Sequence, residues 1–287
     1  MLHKKRVLRA LKGNFIRQLR ILSGIKARPK APVLSQPIEN IVERHTKLCS
    51  QLKSLLPRDF VLKDTIVCEA GPGDCLATAS LIIGLGATHV DLVEHQPPVV
   101  NDKQIRSLEL VKANGFPIAL DIIRGGANPT LDPDKISYHL KFMENFLVEE
   151  KYSLIYSFNV MEHVEDIAGF LASCYRALKP GGLIMHMIDL GGHGEFEDPL
   201  PPLDFQTYPD WLYSMMYPLY ERATRRFVSE YMEAVKQTGF TDPVLHKLRV
   251  AEPDYFKNIQ PKLRATARRI PADELAVIEF AVVAKKI

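Results

Sequence analysis

The 287-residue sequence contains few cysteines, and no long apolar run. Its four cysteines form no C-x-x-C pair: Cys49, Cys68, Cys75 and Cys174. This spacing argues against structural zinc and against a disulfide framework, and it favours a reducing compartment such as the cytoplasm. No apolar stretch approaches the length of a membrane-spanning helix, and no signal-peptide core is visible. We therefore expect a cytoplasmic protein with no integral membrane segment.

Acidic residues are absent from the first 30 positions, which carry ten basic residues. The rest of the chain, with 27 basic and 34 acidic residues, has a net charge of −7, against +3 for the whole. Helical spacing places five apolar residues on one face of this segment: Leu8, Leu11, Phe15, Leu19 and Leu22. A basic amphipathic helix can lie on an anionic membrane, bind a partner or nucleic acid, serve as a targeting segment, or pack on its own domain.

Three prolines between residues 27 and 37 predict an extended linker after this helix. The sequence thus divides into a basic helix with its linker (residues 1–37) and one domain (residues 38–287). Hydrophobic residues make up 46% of the chain, enough to build the core of that domain.

The domain begins with a strand, glycine turn, helix and strand, spanning Thr65–Glu94. Its first apolar run ends in Glu69, and its second ends in Glu94. Gly71 and Gly73 in the turn allow the backbone to approach a ligand closely. A carboxylate at the tip of the second strand suits the two hydroxyls of a ribose. This unit therefore predicts a nucleotide-containing cofactor.

The glycine turn differs from a dinucleotide-binding fingerprint, because Leu76 stands where the third glycine is needed. It resembles motif I of class I S-adenosylmethionine-dependent methyltransferases, with Cys75 at the third glycine position of that motif. The resemblance implies S-adenosyl-L-methionine as cofactor. It also implies cofactor contacts from five residues: Glu69, Gly71, Gly73, Asp74 and Glu94.

A second stretch, Tyr152–Gly182, resembles the fourth-strand region of the same superfamily. Ser153 replaces the usual aspartate, while Glu162, His163 and Val164 match the family pattern. The helix that follows is expected to end in Ala177-Leu178-Lys179-Pro180-Gly181-Gly182, which contains typical stop signals. Together the two motifs imply a Rossmann-like α/β fold, with a seven-stranded, mostly parallel sheet and helices on both faces. The basic amphipathic helix adds an N-terminal helical extension.

Two segments compete for the third strand, residues 118–123 and residues 136–140, and the second better fits the spacing of the family. That choice places Met143 and Glu144 where such enzymes hold the adenine. Since ligands bind beyond the carboxyl ends of parallel strands, the end of the fourth strand also places Ser157 and Asn159 at the cofactor.

Catalytic candidates follow the fourth and fifth strands. His163 is expected at the start of a helix, where it could instead cap or pack. Asp189 and His193 flank a glycine-rich loop, and their spacing allows the carboxylate to orient the imidazole. Neutral imidazole is available near pH 7 as a general base. The neighbouring acids Glu195, Glu197 and Asp198 are typical of a solvated loop, so no metal is expected.

The loop containing His193 opens an aromatic, proline-rich insertion at about residues 191–225, which is expected to form a lid or acceptor wall. This loop and the arginine-rich helix start after it look similar to methyltransferases of surface-polysaccharide and other glycan pathways. We therefore expect methylation of a small-molecule or glycan hydroxyl, with possible membrane contact through residues 1–30. The acidic body disfavours nucleic acid. An RNA or protein methyltransferase and a non-catalytic cofactor-binding protein remain alternatives.

Overall fold

The apolar runs of the sequence form a seven-stranded sheet, and the segments with helical periodicity pack on its two faces. The computed structural model describes residues 7–8, 11–13, 15, 33–126, 128–192, 201–216 and 223–287. The strands are β1 (Ile66–Ala70), β2 (His89–Glu94), β3 (Ile123–Arg124), β4 (Thr130–Leu131), β5 (Ile136–Leu140), β6 (Tyr152–Phe158), β7 (Leu178–Asp189), β8 (Thr241–Val250) and β9 (Val277–Lys285). The α-helices are α1 (Ile38–Leu55), α2 (Ala77–Gly84), α3 (Asp102–Ala113), α4 (Ile167–Ala177), α5 (Asp210–Met216), α6 (Val228–Gln237), α7 (Pro253–Ile259) and α8 (Ala272–Leu275).

The strand order of the main sheet is β5-β2-β1-β6-β7-β9-β8. The pairs from β5 to β7 are parallel, whereas β9 runs antiparallel to both β7 and β8. This arrangement confirms the predicted fold class. It also confirms Ile136–Leu140 as the third strand of the sheet, since this segment pairs with β2. The competing segment instead contributes a short turn and one strand of a small hairpin.

Both faces of the central strands are covered, which explains why apolar residues point to both sides of these strands. On one face, Leu52 of α1, Leu81 of α2 and Leu108 of α3 belong to one core cluster. On the other face, Phe170 of α4 and Tyr231 of α6 belong to a second cluster. Fully burying each such side chain contributes about 1.5–3 kcal/mol. These two layers hold the carboxyl edge of the sheet in place.

The chain after β6 differs from the expectation that Glu162 and His163 begin a helix. Met161–His163 form a single 3-10 turn, and α4 begins only at Ile167. Asp166 determines this start, because its side chain accepts a hydrogen bond from the backbone nitrogen of Gly169 at 2.9 Å. Aspartate is among the best residues for this capping position. His163 therefore lies in a turn beyond the sheet edge.

The N-terminal segment packs part of its apolar face on the domain. Val7 and Leu11, both helical, contact a cluster formed by Phe205, Tyr208, Leu212, Tyr213, Met216 and Ala223. Leu8 and Phe15 remain 66% and 64% exposed. Within the described ranges, no helix is both long and apolar enough to cross a membrane. Packing on the domain therefore explains the partial burial of Val7 and Leu11, but it leaves Leu8 and Phe15 exposed to solvent.

Candidate active site

The glycine turn between β1 and α2 lies at the carboxyl edge of the sheet. Gly71 and Gly73 have φ angles of +68° and +59°, a region that disfavours side chains. A Cβ at Gly71 would lie 2.4 Å from a methyl carbon of Val160, in the chain that follows β6. A Cβ at Gly73 would meet no atom within 4 Å. Gly71 thus allows two loops to meet, while Gly73 borders open space that a ligand can enter.

The carboxylate of Glu94 reaches back from the tip of β2 to this turn. Its Oε2 accepts a hydrogen bond from the backbone nitrogen of Gly73 at 3.1 Å. Its Oε1 accepts from the backbone nitrogens of His95 and Gln96 at 2.8 and 3.2 Å, and lies 2.6 Å from Nδ1 of His95. Burial alone would raise the pKa of Glu94, but these hydrogen bonds outweigh it and lower that pKa. The carboxylate is therefore ionised and fixed in position.

His95 is a site residue that the sequence patterns did not reveal. Its hydrogen bond to Glu94 raises the pKa of the imidazole. The ring also stacks on Phe142, with centroids 5.1 Å apart and planes 8° apart. Since Phe142 follows β5, the stack joins the ends of two neighbouring strands beside Glu94. Only its position next to Glu94 in the chain could have suggested this role.

Glu69 is directed into the protein at the end of β1. Its two carboxylate oxygens accept hydrogen bonds from the hydroxyls of Thr78 and Tyr156, at 2.7 and 2.8 Å. Burial raises the pKa of Glu69 to about 7. Tyr156 is its register partner on β6, and Thr78 belongs to α2. Glu69 thus connects α2 to β1 and β6, and its contact with the cofactor stays a prediction.

Asp74 holds the segment that leads into α1. Its Oδ2 accepts hydrogen bonds from the backbone nitrogens of Val33 and Leu34, at 3.0 and 2.8 Å. Both of these apolar residues are buried, so this part of the predicted linker docks on the domain. Cys75, at the third glycine position, is also buried. A cofactor contact by Asp74 stays a prediction.

Asn159 directly follows β6 and has a φ of +55°. Its backbone nitrogen donates to the carbonyl of Met187 at 2.9 Å. Its side-chain oxygen is buried and has no hydrogen-bond partner in the described part of the chain. A buried acceptor without a partner costs about 1–3 kcal/mol. This oxygen is therefore suited to a hydrogen-bond donor of a ligand.

Ser157, two residues earlier, is fully buried, and its hydroxyl lies 2.8 Å from Nδ1 of His186 on β7. The His186 ring packs edge-on against Phe170 of α4. Burial lowers the pKa of His186 to about 3, so this imidazole is neutral. Ser157 is thus linked to α4 only through His186, and its contact with the cofactor stays a prediction.

Met143 and Glu144 form part of a 3-10 turn beyond β5. Met143 is buried in the core cluster that also contains Phe146. The carbonyl of Glu144 accepts a hydrogen bond from the Ser173 hydroxyl at 3.2 Å. The turn lies directly after Phe142 of the His95 stack. Its proposed role at the adenine is untested by these contacts.

The acceptor side of the edge lies beyond β6 and β7. Asp189 accepts hydrogen bonds from the backbone nitrogen of Gly191 at 2.8 Å and from Arg249 at 3.2 Å. His193 falls outside the described residues, as do Glu195, Glu197 and Asp198. Glu162 is buried; burial, together with the nearby charges of Asp189 and Glu279, raises the pKa of this carboxyl well above its usual range. In the ranges that the structure describes, no group of three or more His, Cys, Asp or Glu could hold a metal ion.

An aromatic wall, defined as Phe205, Tyr208 and Tyr213, stands beside this edge. It belongs to the buried cluster that Val7 and Leu11 contact. Gly192 joins the wall to the end of β7, because its backbone nitrogen donates to the carbonyl of Pro202 at 2.8 Å. A Cβ at Gly192 would lie 3.3 Å from the Phe205 ring. The segment from residue 201 onward thus folds back against the loop that follows β7.

This fold and its glycine turn define a class I methyltransferase, and a comparison of the sequence with protein families agrees. A family model described as a methyltransferase domain matches residues 42–242. The chain belongs to this methyltransferase-domain family. The sequence matches no curated protein.

Solved structures share the fold at low sequence identity. A chain from the complex between the Haloferax volcanii Trm112 methyltransferase activator and a proposed methyltransferase is 14% identical, with a TM-score of 0.51 over 91% of this chain and 99% of that one. A proposed O-methyltransferase from Nostoc punctiforme is 13% identical, with a TM-score of 0.50 over 96% and 69%. A proposed S-adenosylmethionine-dependent methyltransferase from Listeria monocytogenes is 15% identical, with a TM-score of 0.49 over 85% and 99%. The protein is an S-adenosylmethionine-dependent methyltransferase, and S-adenosylmethionine is its cofactor.

Proposed function

We propose that the enzyme methylates a hydroxyl group of a small molecule or glycan. The observation that carries this proposal is the aromatic wall packed against Gly192 beside the end of β7. These three aromatic side chains are buried, so they give the acceptor side a packed, rigid boundary rather than exposed ring surface. Such a boundary limits the size of the acceptor that can approach, whereas a nucleic-acid substrate would favour an open basic groove. The wall belongs to the insertion at about residues 191–225.

The cofactor is proposed to lie along the carboxyl edge from β2 to β6. The ionised Glu94 would receive the ribose hydroxyls, and the Gly71–Gly73 turn would border the sugar and the methionine part. The unpartnered oxygen of Asn159 would accept from the α-ammonium group. Supporting contacts are assigned, from the family resemblance, to Glu69, Asp74, Met143, Glu144 and Ser157.

The cofactor supplies a methyl group on a positively charged sulfur, which is already activated for transfer. The enzyme then has to align the acceptor, and alignment can contribute about 7–11 kcal/mol. We assign His193 as the base that removes the acceptor proton, with His163 as the alternative and Asp189 as the residue that orients the base. Asp189 already makes a hydrogen bond to Arg249, so this assignment requires it to contact both groups.

The acceptor class can be tested with cofactor labelled in its methyl group. The enzyme is incubated with a cell extract that is divided into small-molecule, glycan, RNA and protein fractions. We expect label in the small-molecule or glycan fraction, removed by treatments that cleave ethers and not by nucleases or proteases. Label in RNA or protein would overturn the proposal.

The base assignment is tested with the same assay. His193→Ala should lower turnover by about 10²–10⁴ and leave cofactor affinity unchanged. The rate of the unmodified enzyme should fall as pH drops below the usual pKa of a histidine, about 6.5. His163→Ala, measured in the same assay, tests the alternative base. Near-normal turnover in His193→Ala would remove the assignment and favour an amine acceptor, which can lose its proton after transfer.

The N-terminal segment is proposed to contact an anionic membrane surface. Leu8 and Phe15 are exposed, although Val7 and Leu11 of the same segment pack on the domain. Helix α5 contributes residues to the cluster that Val7 and Leu11 contact. Two other side chains of this helix, Trp211 and Met215, are 66% and 54% exposed. Ten basic residues and no acid in residues 1–30 would complement anionic lipids.

This contact is tested by sedimentation with vesicles of phosphatidylglycerol and phosphatidylcholine. The triple variant Leu8→Ser, Phe15→Ser, Trp211→Ser should lose binding, as should deletion of residues 1–30. Leu147→Ser is the control, because Leu147 is 73% exposed and lies before β6. Binding should weaken with salt. Equal sedimentation of the triple variant and the Leu147 control would refute the contact.

A further inference from the structure

A cleft of about 520 Å³ lies beside the turn that carries Glu162 and His163. Its lining includes four arginines and two glutamates: Arg225, Arg226, Arg264, Arg269, Glu165 and Glu230. The lining therefore has a net charge of +2 in a pocket of the size that usually holds small ligands. Neither the cofactor site nor the proposed base accounts for these arginines.

Arg226 is fixed in this cleft without being neutralised. Its guanidinium donates to the backbone carbonyls of Val164 and Glu165, and it forms no ion pair with any described residue. Because both acceptors are uncharged, the positive charge of Arg226 stays available. A guanidinium that is already held in position loses little entropy when it binds an anion.

Arg269 supplies a second available charge at the rim. It is exposed, and its side chain makes no hydrogen bond or ion pair in the described part of the chain. Arg225 and Arg264 differ, since both approach the carboxylate of Asp210, at 3.4 and 3.2 Å. In this cleft, Arg225 and Arg264 are engaged by Asp210, whereas Arg226 and Arg269 can bind a ligand.

The position of the cleft connects it to the acceptor side. The backbone nitrogen of Thr224, in its lining, donates to the carbonyl of Glu162 at 2.7 Å. Arg226 holds the two carbonyls that follow His163 in the chain. A ligand in the cleft would therefore lie next to the turn beyond β6, where an acceptor approaches.

We propose that this cleft binds a phosphate ester carried by the methyl acceptor. Two guanidinium groups with available N–H donors suit the oxygens of a phosphoryl group, which arginine binds bidentately. The proposal rests on the proposed function, because it adds a charged group to the small-molecule or glycan acceptor. It also predicts that the reaction supplying the acceptor is one that leaves a phosphate or diphosphate on that molecule.

The first test uses inorganic pyrophosphate as the probe, with the full chain and calorimetric titration at constant ionic strength. Arg269→Ala should weaken pyrophosphate binding by about tenfold or more, the loss expected for one charge-assisted hydrogen bond. Arg269→Lys keeps the positive charge but lacks the planar guanidinium, so its pyrophosphate affinity should lie between those of the wild type and Arg269→Ala. Arg268→Ala is the matched control, because Arg268 is an exposed neighbour that does not line the cleft. Equal weakening in Arg268→Ala and Arg269→Ala, or none in either, would overturn the proposal.

The second test separates a phosphate on the acceptor from an independent regulatory anion. Pyrophosphate should inhibit methyl transfer to the acceptor-containing fraction, and added acceptor should relieve the inhibition. Inhibition that acceptor does not relieve would overturn the assignment. Cofactor affinity is measured in the same samples and should be the same in all variants. A loss of cofactor affinity in Arg269→Ala would place the cleft in the cofactor site and overturn its assignment to the acceptor.

Discussion

The carboxylate of Glu94 lies 3.1 Å from the backbone nitrogen of Gly73, joining the tip of β2 to the glycine turn. The two residues are 21 positions apart, and each sits at the carboxyl end of a parallel strand or directly beyond it. The hydrogen bond fixes the carboxylate next to the open space that borders Gly73. The protein's own hydrogen bonds therefore hold the Glu94 carboxylate in position for a ligand.

Removing this carboxylate should weaken the cofactor complex. Glu94→Ala loses a charge-assisted hydrogen bond to the ribose, worth about 1.5–3 kcal/mol, or about 10- to 150-fold in the dissociation constant. Calorimetric titration with S-adenosylmethionine measures the effect. Glu149→Ala, at an exposed position, is the control. An unchanged dissociation constant in Glu94→Ala would exclude Glu94 from the ribose site.

The His95–Glu94 pair should make stability depend on pH in a defined window. The pKa of His95 is raised, so its contribution is complete below the ordinary histidine value and is lost as pH rises through the folded-state value. The pKa of Glu94 is lowered, so its contribution is lost only when the solution becomes acidic. Because the imidazole is half exposed, we expect less than about 1 kcal/mol.

Urea unfolding of the wild-type protein and His95→Asn, at about pH 6 and pH 8.5, measures this contribution. The stability difference between the two proteins should be larger at the lower pH. The cofactor KM of His95→Asn should rise more than its kcat falls, because His95 positions Glu94 without touching the transferred group. A stability difference that is equal at both pH values would show that the pair carries no charge.

The two glycines of the turn should differ in their tolerance of alanine. Both substitutions strain a left-handed backbone, which costs about 1–3 kcal/mol. Only Gly71→Ala also places a methyl group 2.4 Å from Val160, adding an overpacking cost of about 1–3 kcal/mol. Thermal or urea unfolding compares the two variants, with Gly73→Ala as the matched control.

Adding Val160→Ala to Gly71→Ala should recover the overpacking part of the loss and leave the backbone strain. If Gly71→Ala and Gly73→Ala are equally unstable, the contact between the two loops does not limit this position. If Gly73→Ala stays folded but loses cofactor binding, the open space at Gly73 is where the ligand lies.

His186 should make the enzyme sensitive to acid. Burial lowers its pKa to about 3, so the folded protein keeps this imidazole neutral while the unfolded chain takes up a proton below about pH 6.5. The unfolded state then binds more protons, and stability falls with decreasing pH by about 1.4 kcal/mol per pH unit for this group. His186→Gln should remove that part of the slope between pH 6 and pH 4. An identical slope in the variant would mean that His186 is charged in the folded protein.

Local patterns in the sequence were enough to predict most of the fold. The βαβ unit and the helix that follows β6 are indicated by apolar runs and turn residues that act over a few positions. The start of α4 was predicted wrongly, because Asp166 competes successfully for the capping position. The choice between two candidate strands was settled by pairing with β2, a contact between distant parts of the chain.

What the sequence by itself determined is the glycine turn and the acids at the strand tips, because these depend on the order of neighbouring residues. Only the tertiary structure decided that Tyr156 and Thr78 hold Glu69, that Asp74 binds the chain at Val33, and that Arg226 and Arg269 share a cleft. Each of these contacts depends on strand register or on how a loop returns to the sheet. Such relationships arise from packing of the whole chain, so no short stretch of sequence contains them.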